Sequence, residues 1–72
     1  MERDLYGFII QKGRLFMQTE GKRFYGLGNG RPLFTQYVFD AMMYRNEEQA
    51  KEQEKKVGGR VRMFDRLNGD LI

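Results

Sequence analysis

The first organised segment, Leu5 to Glu20, consists of two apolar runs separated by Lys12-Gly13. Runs of this length joined by a short glycine-containing link are typical of a β-hairpin. With Lys12 and Gly13 as a two-residue loop, one side of the hairpin is continuously apolar and is predicted to face the core. A three-residue loop would shift the partners and keep the hairpin. The two-residue loop pairs Ile10 with Leu15, Phe8 with Met17 and Tyr6 with Thr19.

The other side of the predicted hairpin carries a second apolar patch, in which Leu5, Ile9 and Phe16 lie among polar residues. A two-stranded ribbon is not stable with large apolar side chains exposed on both faces. We therefore expect a cover for Ile9 and Phe16, which could be the side chains of another strand or a second subunit.

The next segment, Gly21 to Pro32, is rich in glycine. Glu20-Gly21 is predicted to form a second tight turn, followed by a short irregular strand at residues 23–27 and a loop at residues 28–30. Alternate glycines at 26, 28 and 30 superficially resemble a phosphate-binding loop. The spacing differs from the dinucleotide fingerprint, so we interpret them as a plain loop.

A helix is predicted at Glu47 to Val57, where Asn46 is the N-cap and Gly58-Gly59 the stop. Acidic residues begin this segment and lysines end it, which suits the helix dipole. A single longer helix is disfavoured, because Ala50 and Val57 lie roughly 120–150° from an upstream apolar stripe at 100° per residue. Ala41 to Tyr44 is then a short strand or the tail of a helical turn, and we favour the strand. The upstream stripe contains Phe34, Tyr37, Val38, Ala41 and Met42.

The last segment, Arg60 to Leu67, alternates with a period of two, which predicts a strand. One face holds Val61, Met63 and Leu67 with Asp65 and is predicted to be core. The other face holds three arginines and one aromatic residue: Arg60, Arg62, Phe64 and Arg66.

Together these elements predict a single α+β domain over residues 1–72. It contains an N-terminal β-hairpin, a short irregular or strand segment, one helix at about 47–57 and a C-terminal β-strand. The small antiparallel sheet is expected to pack on the helix.

The composition excludes several kinds of stabilising cross-link and several catalytic groups. The 72 residues include no Cys and no His, which excludes disulfides, imidazole bases and thiolate nucleophiles, and removes the usual zinc ligands. We predict no catalytic residues, no metal site and no cofactor. Because so short a chain has a small core, we expect a homodimer, with Ile9, Phe16 and Phe64 as its seam.

Targeting signals are not apparent in the sequence. Met1-Glu2-Arg3-Asp4 mixes charges, no apolar region of signal-peptide type follows, and no run approaches the length of a membrane span. We expect a cytoplasmic protein without membrane contact. The net charge is +3, and the excess lies in the first half of the chain.

Several local motifs together resemble a family. They are Phe34-Thr35, Ala41, Tyr44, the run 46–50 and Lys56-Val57-Gly58-Gly59-Arg60-Val61. The pattern is similar to that of many very small phage and prophage proteins, and in particular resembles the YopT-like prophage proteins. This resemblance covers about residues 5–66 and implies a compact homodimeric α+β domain of unknown function. It implies no catalytic residues.

Two functional hypotheses follow. The first is a non-enzymatic homodimeric accessory protein of phage type, which acts by binding a host or phage protein. In it, Phe64 and Arg62 belong to the dimer seam, since arginine and aromatic residues are enriched at interfaces. The second is a nucleic-acid-binding dimer whose basic strand contacts phosphates while Phe64 stacks on a base. Its predicted contacts are Arg60, Arg62, Arg66, Lys22 and Arg23.

Overall fold

A computed structural model describes residues 6–21 and 31–72. It shows a five-stranded antiparallel sheet with one α-helix packed on it, which confirms the predicted α+β class. The predicted strand at residues 23–27 and the glycine loop at residues 26–30 lie outside the described residues. None of the helices among the described residues is long and apolar enough to cross a membrane. The elements are β1 (Tyr6–Lys12), β2 (Leu15–Thr19), β3 (Leu33–Thr35), a 3₁₀ turn (Val38–Asp40), α1 (Glu47–Val57), β4 (Arg60–Asp65) and β5 (Asp70–Leu71), with strand order β3-β2-β1-β4-β5.

The hairpin forms, but its predicted register is wrong. Gln11 pairs with Phe16 and Lys12 with Leu15, so the loop is Gly13-Arg14 and not Lys12-Gly13. Gly13 takes φ 65°, a value that glycine adopts readily at the first central position of a hairpin turn. Because the register differs by two residues, each side chain keeps its predicted face.

β1 and β2 separate after these two pairs, and residues 42–44 lie between them. Phe8 and Tyr44 exchange two backbone hydrogen bonds of 2.8 Å, and the Met42 amide donates to the Met17 carbonyl at 2.9 Å. The extended interpretation of this segment is therefore confirmed at Tyr44, which forms an isolated bridge. Phe8 consequently faces Tyr44 and not Met17.

The helix has the predicted bounds, Glu47–Val57. The Asn46 side chain accepts a hydrogen bond of 2.8 Å from the Glu48 amide, which satisfies one of the free amides of the first turn. At the other end, Gly58 takes φ 82°, and the Lys12 Nζ donates to the Val57 carbonyl at 2.9 Å. A lysine of the hairpin thus contacts the C-terminal, negative end of the helix dipole.

Each face of the sheet carries its own apolar cluster. On the face that α1 covers, Ile10, Met17, Tyr44 and Ala50 are buried. We call the opposite side of the sheet the far face. Its buried residues are Ile9, Phe16 and Phe64, and the side chains packed over them are Val38, Ala41, Met43 and Leu71.

This second cluster corrects the predicted dimer seam. Ile9, Phe16 and Phe64 are only 0%, 9% and 1% exposed within the single chain. They present almost no surface to a second copy, because the chain's own residues 38–43 cover them. The predicted core face of β4 is also only partly right, since Met63 on that face is 38% exposed.

Candidate functional site

One end of the far face is polar and is not covered by residues 38–43. The pairings of Gln11 with Phe16 and with Arg60, and of Phe16 with Thr35, define one row across four strands. Beside this row Arg62 faces Ile9 on β1. Gln11, Arg60 and Arg62 border an open concavity of about 400 Å³, which we call the basic groove. It is lined by Gln11, Gly13, Gly59, Arg60 and Arg62.

The two arginines are adjacent on this surface. They occupy positions i and i+2 of β4, so their Cα atoms lie about 6.6 Å apart and their side chains share the far face. The Arg62 Nη1 donates to the Gln11 Oε1 at 2.8 Å, which holds the guanidinium over the groove. Within residues 6–21 and 31–72, no carboxylate forms an ion pair with Arg60 or Arg62. Most of their ten N–H donors therefore remain for a ligand.

More cations surround this end of the domain. Arg14 lies exposed in the hairpin turn, and Lys55 and Lys56 lie exposed in the last turn of α1. Lys12 is held on the helix side, where its Nζ lies 6.0 Å from the centre of the Phe34 ring. The nearby carboxylate of Glu54 accepts a hydrogen bond of 2.7 Å from the Val61 amide. This end of the domain therefore carries an excess of positive charge.

Not all of the predicted nucleic-acid contacts join this surface. Arg66 follows the opposite end of β4, where it borders a separate concavity of about 170 Å³ with Tyr6, Met43, Tyr44 and Arg45. The six-residue strand puts about 17 Å between its ends. Lys22 and Arg23 lie outside the described residues. Of the predicted contacts that lie within the described residues, Arg60 and Arg62 are thus brought together and Arg66 is not.

The base-stacking role predicted for Phe64 is wrong. Its side chain is 1% exposed, and its ring meets the edge of Phe39 at a centroid distance of 5.5 Å and an interplanar angle of 78°. Such an edge-to-face contact stabilises the far-face cluster. Phe64 therefore has a structural role.

Gln11, which lines the groove, was not predicted as functional. Gln11 comes beside Arg62 only through the pairing of β1 with β4, across 51 positions of the chain. Tyr37, which the sequence placed on an apolar stripe, is 61% exposed. Its backbone amide donates to the Thr35 Oγ1 at 3.1 Å.

A second polar contact lies between Tyr44 and Glu20. The Tyr44 hydroxyl donates to the Glu20 carboxylate, and the Tyr44 side chain is 8% exposed. Burial raises the pKa of the Tyr44 phenol well above its ordinary value, and the hydrogen bond to Glu20 raises it further. The phenol is therefore neutral over the physiological range and fastens residues 42–44 to the end of β2.

The part of the chain that the structure describes holds no group of three acidic, His or Cys side chains arranged to bind a metal. In comparisons with known proteins, no family model, no curated protein and no solved structure matches the chain.

Proposed function

We propose that the protein is a non-enzymatic binding protein whose ligand is nucleic acid, contacted through the phosphate backbone at the basic groove. The observation that carries this proposal is the adjacent pair Arg60 and Arg62 on the floor of an open concavity, with no carboxylate partner in the described chain. Guanidinium groups match phosphate geometry and bind it through two N–H donors at a time.

The surroundings support a phosphate ligand over an apolar one. Gln11 and two glycines complete the lining of the groove, and the Gln11 side-chain amide donates to the Gly13 carbonyl at 3.1 Å, so the lining beside the arginines is polar. Arg14 follows the groove residue Gly13 and is exposed, whereas Lys55 and Lys56 lie in the last turn of α1, on the other face of the sheet. Contacts of this kind position a nucleic acid without reading its sequence.

The test is the salt dependence of binding to a fluorescent oligonucleotide, followed by anisotropy between 50 and 200 mM salt. The double substitution Arg60→Ala with Arg62→Ala is expected to weaken binding at least tenfold. It should also reduce the slope of log K against log salt by about 1.4 to 1.8, which corresponds to two phosphate contacts.

A matched control removes two positive charges elsewhere, by Arg66→Ala with Lys51→Ala. Arg66 lies at the other end of β4, and Lys51 pairs with Glu47 at 3.8 Å in the first half of α1. This variant should stay within about threefold of the wild-type affinity. Equal losses in both double variants would show that only net charge matters, and no binding at 50 mM salt would refute the proposal.

A second candidate function is protein interaction, including the homodimer predicted from the sequence. The observation that favours it is Phe39, whose ring packs on Phe64 while 61% of the side chain stays exposed. Aromatic side chains anchored on one side and open on the other are frequent interface contacts. The binding of a host or phage protein and the prophage likeness remain predictions from the sequence.

Sedimentation at micromolar concentration tests the homodimer. The expected mass is about twice the chain mass of 8.6 kDa, and Phe39→Ser should shift the species toward monomer without loss of the circular dichroism of the fold. A single species of chain mass at all concentrations would contradict the homodimer.

A further inference from the structure

The guanidinium of Arg62 leans towards the pair that contains Arg60. Arg60 is the direct partner of Gln11 across the ladder of β1 and β4, whereas Arg62 is the partner of Ile9. The Arg62 Nη1 nevertheless donates to the Gln11 Oε1 at 2.8 Å. The Arg62 side chain therefore crosses diagonally from its own pair towards the pair of Gln11 with Arg60.

This diagonal position has a physical cause in the apolar cluster of the far face. Ile9 is 0% exposed, and other side chains of the cluster pack over it. A guanidinium above that apolar cover would lose hydration without gaining a hydrogen bond. The polar end of the sheet supplies the Gln11 amide oxygen and access to water.

Gln11 is itself held in one orientation. Its Nε2 donates to the Gly13 carbonyl at 3.1 Å, while its Oε1 accepts from Arg62. A flip of the amide would exchange donor and acceptor and break both bonds. With Nη1 bound in this way, Arg62 presents its Nε and Nη2 edge, whose two parallel N–H donors match two oxygens of one phosphate.

Two cations beside one amide favour a ligand that carries two negative charges on one group. Among residues 6–21 and 31–72, neither Arg60 nor Arg62 has a carboxylate partner, and the Glu54 carboxylate is bonded to the Val61 amide. An internal phosphate of a nucleic acid carries a single charge. A phosphomonoester carries about −1.5 to −2 at neutral pH and has three acceptor oxygens, so one such group neutralises both guanidinium groups.

Resting on the proposed function, we infer that the basic groove takes the terminal phosphate of a nucleic acid strand, a phosphomonoester, and that Gln11 is the positioning residue that brings Arg62 beside Arg60. Internal phosphates bind the same groove more weakly, with one guanidinium each. The glycines of the lining, Gly13 and Gly59, carry no side chain that would exclude the phosphate.

The experiment compares three forms of one single-stranded oligonucleotide of about twelve nucleotides, with a phosphate at the 5′ end, a phosphate at the 3′ end, or hydroxyl groups at both ends. Each form carries an internal fluorophore, and binding is followed by anisotropy at 50 mM salt. Wild-type protein should bind one phosphorylated form about tenfold more tightly than the hydroxyl form. The tighter of the two phosphorylated forms identifies the end that is bound.

This preference should depend on pH through the ligand. The second pKa of a phosphomonoester is about 6, so the dianion is lost as the pH falls from about 7.5 to about 5. The groups that face the ligand are the guanidinium groups of Arg60 and Arg62, with Arg14 beside Gly13, and these stay charged. The chain contains no His, the side chain that ordinarily titrates in this range. The tenfold preference should therefore fall to about twofold at pH 5.

Gln11→Ala removes the positioning bond and keeps both positive charges. It should bind the phosphorylated and hydroxyl forms within about twofold of each other, and the hydroxyl form about as the wild type does. Gln18→Ala is the matched control, because Gln18 is exposed on β2 and borders a different concavity. It should retain the tenfold preference and its pH dependence. The wild-type preference tests the ligand without any variant.

The outcomes separate this inference from the proposed function. Equal wild-type affinities for the three forms, with weak binding in Arg60→Ala/Arg62→Ala, overturn the terminal phosphate and leave the proposed function intact. A preference that is the same at pH 5 and pH 7.5 overturns the dianion, and an unchanged preference in Gln11→Ala overturns the positioning role. A phosphoserine peptide that binds more tightly than the phosphorylated oligonucleotides overturns nucleic acid as the ligand. Absence of binding to all three forms refutes both proposals.

Discussion

At the scale of single residues, the contrast between Phe64 and Met63 shows how a strand with apolar side chains on both faces is buried. These neighbours point to opposite faces of β4. Phe64 is 1% exposed because residues 38–43 and Leu71 pack over the far face, whereas Met63 is 38% exposed. The burial of each side chain is thus decided by what lies over its face and not by its own hydrophobicity.

Phe64→Ala is expected to lower the free energy of unfolding by about 3–5 kcal/mol, the usual cost of a large-to-small change in a core. A domain of this size has a total stability of the order of 4–11 kcal/mol, so the variant will be close to unfolding. Phe64→Leu, a smaller loss of volume, keeps the comparison measurable. Met63→Ala should cost about 1 kcal/mol or less, because its side chain is partly hydrated.

Urea unfolding followed by circular dichroism measures all three variants. If Met63→Ala is as destabilised as Phe64→Leu, the assignment of Phe64 to a buried face and of Met63 to a partly exposed face is wrong.

The arginines of the groove were predictable as a pair, because alternation alone puts Arg60 and Arg62 on one face. Alternation also added Arg66 and Phe64 to that face, but it carries no information on where β4 ends or on what covers it. β4 ends at Asp65, and Phe64 is buried. The contribution of Gln11 depends on the pairing of two strands far apart in the chain, which no local pattern contains.

At the scale of elements, the segments with local signals were predicted best. The helix has the predicted bounds because its N-cap, its charge distribution and its terminal glycine all act within one turn of the ends. The hairpin turn was displaced by one residue, since Gly13 occupies a central position in both the predicted loop and the observed one. β3 and β5 span three and two residues, too few to leave a periodic pattern.

The turn between β4 and β5 depends on Asp65. Its carboxylate accepts hydrogen bonds from the Asn68 side chain at 2.7 Å and from the amides of Leu67 and Asn68 at 3.0 and 3.2 Å. The Asn68 side-chain bond, with smaller contributions from these amides, holds the pKa of Asp65 below its ordinary value, although burial opposes the shift.

This turn predicts a pH dependence of stability. Because the folded-state pKa of Asp65 is lowered, its stabilising contribution is complete above the unfolded-state pKa of about 3.9 and is lost as the pH falls through the folded value. Asp65→Asn should therefore be less stable than the wild type at neutral pH, and the difference should shrink towards pH 2. Urea unfolding between pH 2 and 7 measures this difference.

Asp70→Asn is the matched control for this turn. Asp70 faces Asp65 across the β4–β5 ladder, and carboxylates directly opposite each other repel. The control makes the same change in charge but should not lower stability at neutral pH. A pH-independent difference between Asp65→Asn and the wild type would contradict the role of the Asp65 charge.

At the scale of the whole molecule, each face of the sheet has a covered apolar cluster within one short chain. The sequence argument required a cover for Ile9 and Phe16, and it considered another strand or a second subunit. Residues 38–43 supply that cover without forming a strand along their length. This arrangement was hidden from the sequence because the same residues fit an apolar helical stripe.

Two adjacent residues of β1 connect the apolar clusters on the two faces of the sheet. Ile9 belongs to the far-face cluster and Ile10 to the helix-side cluster, and both are 0% exposed. β1 is also the central strand of the sheet. If either cluster separated from β1, it would expose backbone hydrogen bonds of β1 that also support the other cluster. The two faces are expected to unfold as one cooperative unit.

Methyl NMR in a urea series tests this cooperativity with one valine on each side. Val38 packs on the far-face cluster and Val57 on the helix-side cluster, so their native signals should disappear with the same midpoint and the same slope. Ile10→Val removes one methylene from the helix side and should lower both midpoints equally, by an amount corresponding to about 0.5–1.5 kcal/mol. A lower midpoint for Val38 alone would show that residues 38–43 detach before the sheet unfolds. The far face would then be accessible in a partly folded state, and Ile9 and Phe16 would be available there to a second copy of the chain.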